Sequence, residues 1–163
     1  MGKTLILPAR WNLATAKPVL GTNPAEKLLT NGIRGSLKYS DFEWCSWADN
    51  DSVSFTIDLL KPEMLNTLIL GCITNNGMAI HKPASVRVEV SDDNSKFREA
   101  VVQSFTSEEI FREGNFIENL SLKLGGTQAR YVRVTAKGPG VCPASHVRPG
   151  QTSRIFFDEV MLE

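Results

Sequence analysis

The feature that most constrains the fold is a strict alternation of apolar and polar residues in several separate segments. The clearest examples are SVSFTIDL at 52–59, SVRVEVS at 85–91 and RYVRVTAK at 130–137. Successive side chains of a β-strand point to opposite faces, so each segment is predicted to be a strand with one face in a core. LNTLILGCI at 65–73 is apolar almost throughout, which is typical of a strand in the middle of a sandwich.

Turn-forming residues separate these segments. SDDNS at 91–95 predicts a tight connection, because Asp and Asn side chains accept hydrogen bonds from nearby backbone amides. One helical turn is predicted in TSEEIFREG at 106–114, with Thr106 or Ser107 as its N-cap. With the short segments LSLKL and FFDEVMLE, the pattern predicts an all-β chain: one antiparallel β-sandwich of about eight strands, a single domain over residues 1–163.

Charge and cysteine content narrow the possible partners. Eighteen basic and eighteen acidic residues give the 163-residue chain a formal net charge of zero. Nucleic acids and anionic membranes attract proteins with a basic surplus, so neither is expected as a partner. No apolar run reaches the roughly 20 residues that span a bilayer, so membrane insertion is not expected either. Cys72 is predicted to be a buried apolar residue, whereas Cys45 and Cys142 lie in predicted loops, where a disulfide and free thiols are both possible.

Two segments at the ends of the chain, LLTNGIRGS at 28–36 and FFDEVMLE at 156–163, resemble the ends of a discoidin-like domain. This family is also described as the coagulation-factor type C domain or the family 32 carbohydrate-binding module. SVRVEVSDD and ARYVRVTAK resemble its most recognisable strands, and LTNGIRGS is similar to the C-terminal modules of bacterial chitobiase and β-hexosaminidase enzymes. The resemblance covers nearly the whole chain. It implies a discoidin-like jelly roll excised from a larger glycoside hydrolase.

The resemblance also implies a structural calcium site. The matching positions are Asn31, Ser36 and Glu159, with backbone carbonyls of residues 27–30, and calcium prefers such oxygen ligands. Asn31 stands where the family usually has aspartate, and the loss of one formal charge is expected to weaken calcium binding. The alternative is a metal-free turn, in which Asn31 bonds to its own backbone and Gly32 adopts a positive φ.

Sugar recognition needs an aromatic ring against the apolar face of a pyranose and polar groups for its hydroxyls. Such groups are expected in loops at one end of the sandwich, and three loops qualify: residues 40–51, 74–82 and 141–154. The predicted carbohydrate-binding residues are Trp47, Asn75, Asn76, His81, His146, Arg148 and Arg154. Trp44, in contrast, is predicted to belong to the core. The arginines suit an acidic or sulfated sugar, and a decayed site that binds no sugar is the other possibility.

The resulting prediction is a noncatalytic carbohydrate-binding module. By resemblance, it targets a secreted glycoside hydrolase of the chitobiase or β-hexosaminidase type to glycans that end in galactose or N-acetylhexosamine. The alternative is a structural domain that docks on the catalytic domain of its parent enzyme and binds no sugar. Catalysis is not expected, because the acidic residues are scattered and no nucleophile-elbow sequence is present. The resemblance alone implies a periplasmic or extracellular location.

Overall fold

The computed structural model describes the backbone of residues 10–13 and all of residues 29–47 and 52–163. The strands in these ranges are β1 (Arg10–Leu13), β2 (Cys45–Trp47), β3 (Ser52–Asn75), β4 (Ser85–Ser91), β5 (Arg98–Ser104), β6 (Asn115–Lys137) and β7 (Ile155–Leu162). A 3-10 turn at Asn76–Met78 and a single helical turn, α1 (Ser107–Ile110), accompany them. All the strand pairs in the described ranges are antiparallel, as predicted.

The two longest strands, β3 and β6, pass through both layers of the sandwich. The first half of β3 pairs with β1 and with the second half of β6, which in turn pairs with β4, and β4 pairs with β5. The second half of β3 pairs with the first half of β6 and with β7, which pairs with β2. Register shifts between Asp58 and Glu63 and between Leu65 and Thr67 mark the bend between the layers.

The described ranges contain seven strands, and two of these each join two segments that were predicted as separate strands. The segments at 52–59 and 65–73 were predicted as separate strands but are continuous in β3. LSLKL and RYVRVTAK are likewise continuous in β6. Bulges bend these strands without ending them, and a bulge leaves a weaker trace in a sequence than a turn does.

The core follows the predicted alternation. The apolar positions of the three alternating segments are all buried: Val53, Phe55, Ile57, Leu59, Val86, Val88, Val90, Val132, Val134 and Ala136. Val134 lies opposite Phe55 on one side and Val88 on the other, so the side chains of three neighbouring strands form one row. Burial of this apolar surface provides the main stabilisation of the sandwich.

The predicted turn and helix are confirmed. In the β4–β5 connection Asp93 Oδ1 accepts hydrogen bonds from the amides of Ser95 and Lys96, both at 2.9 Å. Thr106 caps α1: its hydroxyl accepts from the amide of Glu109, and the Glu109 carboxylate accepts from the amide of Thr106.

A second, smaller apolar cluster lies on the outer face of the layer that contains β7. It consists of Trp44, Ile73, Ile80 and Phe156, with Tyr39 and Met78 packed against it. Trp44 also donates from Nε1 to the carbonyl of Ser36 at 2.8 Å, so its predicted core position is confirmed. Through this cluster, the loop that contains Tyr39 and the turn that contains Met78 are fixed to the sheet.

All three cysteines are buried free thiols, so the possible Cys45–Cys142 disulfide is not formed. Burial raises the pKa of Cys45 and Cys72 to about 12, which leaves both protonated and unreactive. Among the described residues, no helix has the length and apolar character needed to cross a membrane.

Candidate functional site

Six of the seven predicted carbohydrate-binding residues come from two loops that meet at one end of the sandwich. Ile80 pairs with Asn75 and with Arg154 in isolated bridges. The amide of His81 donates to the carbonyl of Arg154 at 3.1 Å, and the amide of Arg154 donates to the carbonyl of Ala79 at 2.9 Å. These backbone bonds join the loop at 74–82 to the loop at 141–154.

A pocket with a cavity volume of about 150 Å³ lies where these loops approach the loop after α1. Its lining consists of Asn76, Phe111, Glu113, Pro143, Ser145, His146 and Val147. Three of these residues are apolar and four carry polar or charged groups. Asn76 and His146 were predicted from the sequence, whereas Phe111 and Glu113 were not. Phe111 follows the capped helical turn directly, and an aromatic residue in that position was the available signal.

The side chain of Asn76 lies between the loop after α1 and the loop that contains His146. Its Oδ1 accepts a hydrogen bond from the amide of Gly114, which fixes the orientation of the side-chain amide. Its Nδ2 then lies 3.3 Å from His146 Nε2. Asn75 has a different role, because its Oδ1 accepts from the amide of Met78 at 3.2 Å and caps the 3-10 turn.

His81 and His146 form a pair beneath the pocket. Their Nε2 atoms are 2.9 Å apart and the rings meet edge to face, with centroids separated by 5.0 Å. The ring of Phe111 packs edge-on against both histidines. His81 is completely buried, and this burial, followed by the neighbouring His146, lowers its pKa to about 4. His81 is therefore uncharged at neutral pH.

Cys142 completes a possible group of metal ligands with this histidine pair, since the three ligand atoms lie within 4.8 Å of one another. Histidine nitrogen and cysteine sulfur are both zinc ligands. However, His146 Nδ1 accepts a hydrogen bond from the amide of Arg148 at 2.9 Å. The proton of neutral His146 is therefore on Nε2, the atom that would have to bind the metal. The arrangement fits a hydrogen-bonded histidine pair better than a metal site.

The two predicted arginines do not line the pocket. Arg148 donates from Nε to the carbonyl of Gly77. Arg154 donates to the carbonyl of Met78 at 3.3 Å, and its guanidinium lies over the ring of Phe156. The charged group in the lining is the carboxylate of Glu113. The expectation of a cationic surface for an acidic sugar is therefore not met in this pocket.

The prediction that Trp47 is a binding residue is wrong. Trp47 is 1% exposed, lies opposite Ile155 in the β2–β7 ladder, and packs against Phe157 with ring centroids 5.7 Å apart. The short strand β2, which the sequence did not indicate, places this ring in the core. In the described part of the first loop, residues 40–47, the strongly exposed aromatic residue is Phe42, at 69%. Residues 48–51 of that loop lie outside the described residues.

The predicted calcium ligands lie elsewhere, where β7 meets the loop at 31–36. A register shift between Leu70 and Cys72 marks an irregularity in β7 around Asp158 and Glu159. Glu159 Oε2 accepts from the amide of Gly32 at 3.1 Å, while Oε1 is buried without a hydrogen bond. Burial raises the pKa of Glu159 to about 7. A buried, unpaired carboxylate oxygen of this kind is chemically suited to a hard cation.

The other two predicted ligands make bonds within their own loop. Asn31 Oδ1 accepts from the amide of Ile33 at 2.8 Å, and Gly32 has a φ of 78°, as the metal-free turn predicts. Asn31 Nδ2 donates to Glu43 at 2.8 Å, and Ser36 Oγ accepts from the amide of Lys38 at 3.3 Å. These oxygens keep a second lone pair, so the donor set fits calcium only with backbone carbonyls added. Of the expected carbonyls, those of residues 27 and 28 lie outside the described residues.

An antiparallel β-sandwich with its polar pocket in loops at one end has the architecture of a discoidin-like domain. A model of the F5/8 type C domain matches residues 14–147, and the chain belongs to this family. None of the curated proteins compared matches the sequence.

Several solved structures share the fold. One is a Clostridium perfringens module, CpGH89CBM32-5, in complex with GalNAc-β-1,3-galactose, at 15% identity and a TM-score of 0.60, covering 95% of this chain and 94% of the other. Another is the C-terminal domain of a chitobiase from Bacteroides fragilis, at 17% identity and a TM-score of 0.58, covering 99% and 97%. The chain spans only 27% of SpGH29, at 15% identity, a TM-score of 0.58 and 98% coverage of this chain. At these identities the likeness concerns the fold.

Proposed function

We propose that the protein is a noncatalytic carbohydrate-binding module, and that the pocket between the 3-10 turn, the loop after α1 and the loop at 141–154 binds a terminal sugar. The observation that supports this most is the composition of the pocket, which combines three apolar residues with four polar or charged side chains at the loop end of the sandwich. A volume of about 150 Å³ is below the roughly 300 Å³ of small drug-binding sites, which favours a single sugar residue.

Each part of the pocket has a role in this proposal. Phe111, with Pro143 and Val147, offers carbon surface to the C–H face of a pyranose. Glu113 is an acceptor for sugar hydroxyls, and Ser145 both donates and accepts. His146 contributes its ring rather than a free nitrogen, because both nitrogens already face protein partners.

The sugar that fits best is neutral. The carboxylate of Glu113 repels a uronate or sulfate, and the arginines lie outside the lining. Galactose and N-acetylhexosamines remain the proposed ligands. The complex of the Clostridium perfringens module with GalNAc-β-1,3-galactose supports this choice by fold analogy alone.

The proposed role is to hold a parent enzyme near its glycan. Weak binding by such a module gains strength from tethering, since the linked catalytic domain then meets substrate at a raised local concentration. The Bacteroides fragilis chitobiase domain supports a parent of that type, and a periplasmic or extracellular location belongs to the same proposal. No catalysis is proposed, because Glu113 has no second carboxylate opposite it among the lining residues.

The test is titration calorimetry with N-acetylgalactosamine, galactose and glucuronic acid. We expect saturable binding of a neutral sugar, with a loss of about tenfold or more in Phe111→Ala, because aromatic contacts contribute about 1 kcal/mol or more. Phe42→Ala is the matched control, since Phe42 is exposed but does not line the pocket. Absence of binding to every sugar on a glycan array would refute the proposal.

One observation favours a second function, docking on the catalytic domain of the parent enzyme. The loop at 31–44 exposes three apolar side chains: Ile33 at 52%, Leu37 at 53% and Phe42 at 69%. Apolar side chains this exposed in one loop are common at interaction surfaces. A binding assay between the module and the separately produced catalytic domain distinguishes the two functions, since docking predicts that Phe42→Ala weakens association while leaving sugar binding unchanged.

We also propose that calcium binds at Glu159, with Asn31, Ser36 and nearby carbonyls as further ligands. The unpaired Oε1 of Glu159 supports this proposal. Glu43 adds to it, because its carboxylate is close enough to raise the pKa of Glu159 and stands beside the neutral Asn31. The ion would fix the loop and take no part in sugar chemistry.

A further inference from the structure

The hydrogen bonds around His146 determine where its proton lies. A neutral imidazole has one N–H and one lone pair. The amide of Arg148 can only donate, so His146 Nδ1 uses its lone pair to accept that bond at 2.9 Å. The remaining nitrogen, Nε2, therefore carries the proton and needs an acceptor.

His81 is the acceptor for that proton. Asn76 Nδ2 also lies near His146 Nε2, but an amide nitrogen is a donor, and its distance of 3.3 Å is the longer one. His81 Nε2 is 2.9 Å away, so it accepts and His81 carries its own proton on Nδ1. The Ile110 backbone favours a proton on His81, although Nδ1 makes no hydrogen bond of normal geometry. The side chain of His81 is fully buried and touches no ligand space.

We propose that His81 is a positioning residue for the sugar pocket: its unprotonated Nε2 holds the ring of His146, and with it the pocket wall formed by residues 143–147, so that acid opens the pocket. The expected effect on ligand binding rests on the proposed sugar-binding function. The hydrogen bond between the two histidines, and its loss in acid, is inferred from geometry alone.

Protonation must break one of two hydrogen bonds, because both nitrogen lone pairs of the neutral histidine pair already accept a hydrogen bond. A proton on His81 Nε2 places two N–H groups face to face across 2.9 Å. A proton on His146 Nδ1 opposes the amide of Arg148 instead. The first change breaks the bond between this loop and His81, and the second breaks the bond between His146 and Arg148 that shapes the loop itself.

Of the charged groups around the pair, the carboxylate of Glu113 lines the pocket with His146 but is not among the groups that shift the pKa of His81, and the others are engaged elsewhere. The charged groups on the neighbouring elements are Lys82, Glu109, Arg112, Glu113, Glu118, Arg148 and Arg154. Lys82 is paired with Glu118, and Glu109 caps α1. Arg112 stacks on Phe116, and the two loop arginines bond to backbone carbonyls. No carboxylate is among the groups that shift the pKa of His81, so a proton on this buried ring has no counter-ion.

The first test needs no sugar. Long-range proton–nitrogen NMR spectra of the histidine rings at pH 7.5 should show the proton on Nδ1 of His81 and on Nε2 of His146. Hydrogen exchange at the Arg148 amide measures loop opening, after correction for the intrinsic pH dependence of exchange. With a pKa of His81 of about 4 when closed and 6.5 when open, the opening equilibrium should rise about twentyfold from pH 7 to pH 5.

Two variants separate positioning from mere packing. His81→Gln retains a side-chain acceptor but cannot titrate, so its Arg148 protection should be nearly independent of pH. His81→Phe removes the acceptor and should lose Arg148 protection and weaken N-acetylgalactosamine binding at pH 7.5, while His81→Gln restores both. If either variant fails to fold, the wild-type spectra and exchange profile still decide the question.

Several results would overturn the inference. They are a proton on Nε2 of His81, Arg148 protection that does not change from pH 7 to pH 5, or stoichiometric binding of Zn²⁺ by the pair in the wild type. Failure of N-acetylgalactosamine to bind, with the exchange result as expected, would instead count against the proposed function alone.

Discussion

Asp158 on β7 lies directly against Gly71 on β3, so that a Cβ on Gly71 would overlap Asp158 Oδ1. Asp158 is completely buried, and its Oδ2 accepts from Arg34 Nε at 2.8 Å and from the amide of Gly35 at 2.9 Å. The close approach therefore lets a buried carboxylate tie the last strand to the loop at 31–36. Glycine is needed at position 71 for space.

Gly71→Ala should destabilise the fold by about 3 kcal/mol, because the new methyl group displaces the buried Asp158 carboxylate and strains its half-buried ion pair with Arg34. Urea unfolding measures this as a lower transition midpoint. Gly77→Ala is the control, since its Cβ would come no nearer than 3.5 Å to Asn75 Oδ1. Equal stability of the two variants would contradict the contact.

Trp47→Ala should cost about 3–5 kcal/mol of stability, the usual result of removing a large core aromatic. The reason is its burial against Phe157. Phe42→Ala should change stability by less than about 0.5 kcal/mol, because its ring is 69% exposed. Thermal unfolding distinguishes the two variants. If Trp47→Ala kept wild-type stability but lost sugar binding, Trp47 would be a binding residue after all.

Much of the fold could be predicted because burial repeats along the chain. Val86, Val88 and Val90 alternate with polar residues, and this period of two residues survives any bend of the strand. The capping box of Thr106 and Glu109 is similarly local, since both of its hydrogen bonds span three residues. The strands, the turns and the helical turn could therefore be predicted from the sequence.

The site was less predictable because it depends on contacts between distant segments. Trp47 stands before Ala48 and Asp49, and only its pairing with Ile155 reveals a strand there. Phe111 and His146 are adjacent through the fold, not through the sequence. The direction of His81, into the protein rather than the pocket, likewise follows from bonds that no sequence pattern records.

Calcium should raise the melting temperature if the proposed ion binds. At a calcium concentration one hundred times the dissociation constant, the free energy of unfolding rises by about 2.7 kcal/mol. Scanning calorimetry with calcium and with EGTA measures the effect. Glu159→Gln should abolish the difference, because it removes the charge of the buried carboxylate, while Glu99→Gln, an exposed acid elsewhere, should retain it. An unchanged melting temperature in EGTA, with no metal found by elemental analysis, would exclude the ion.

The stability of the domain should fall in mild acid because of His81. Its pKa is lowered from 6.5 to about 4 in the folded state, so between these values the unfolded chain binds more protons than the folded one. The contribution is fully present above pH 6.5 and is lost as the pH falls towards 4. Its full size is about 3 kcal/mol.

Glu159 acts in the opposite direction over part of the same range. Its pKa is raised from 4.5 to about 7, so without a cation its contribution is present at low pH and is lost as the pH rises through 7. The pH dependence of the unfolding free energy of the wild type therefore contains both contributions, which have opposite signs. The difference in urea-unfolding free energy between wild type and His81→Gln isolates the histidine, because Glu159 is common to both. We expect the stability advantage of the wild type over His81→Gln to be about 2 kcal/mol smaller at pH 5 than at pH 7. If this advantage did not change with pH, the fold would not be holding His81 neutral.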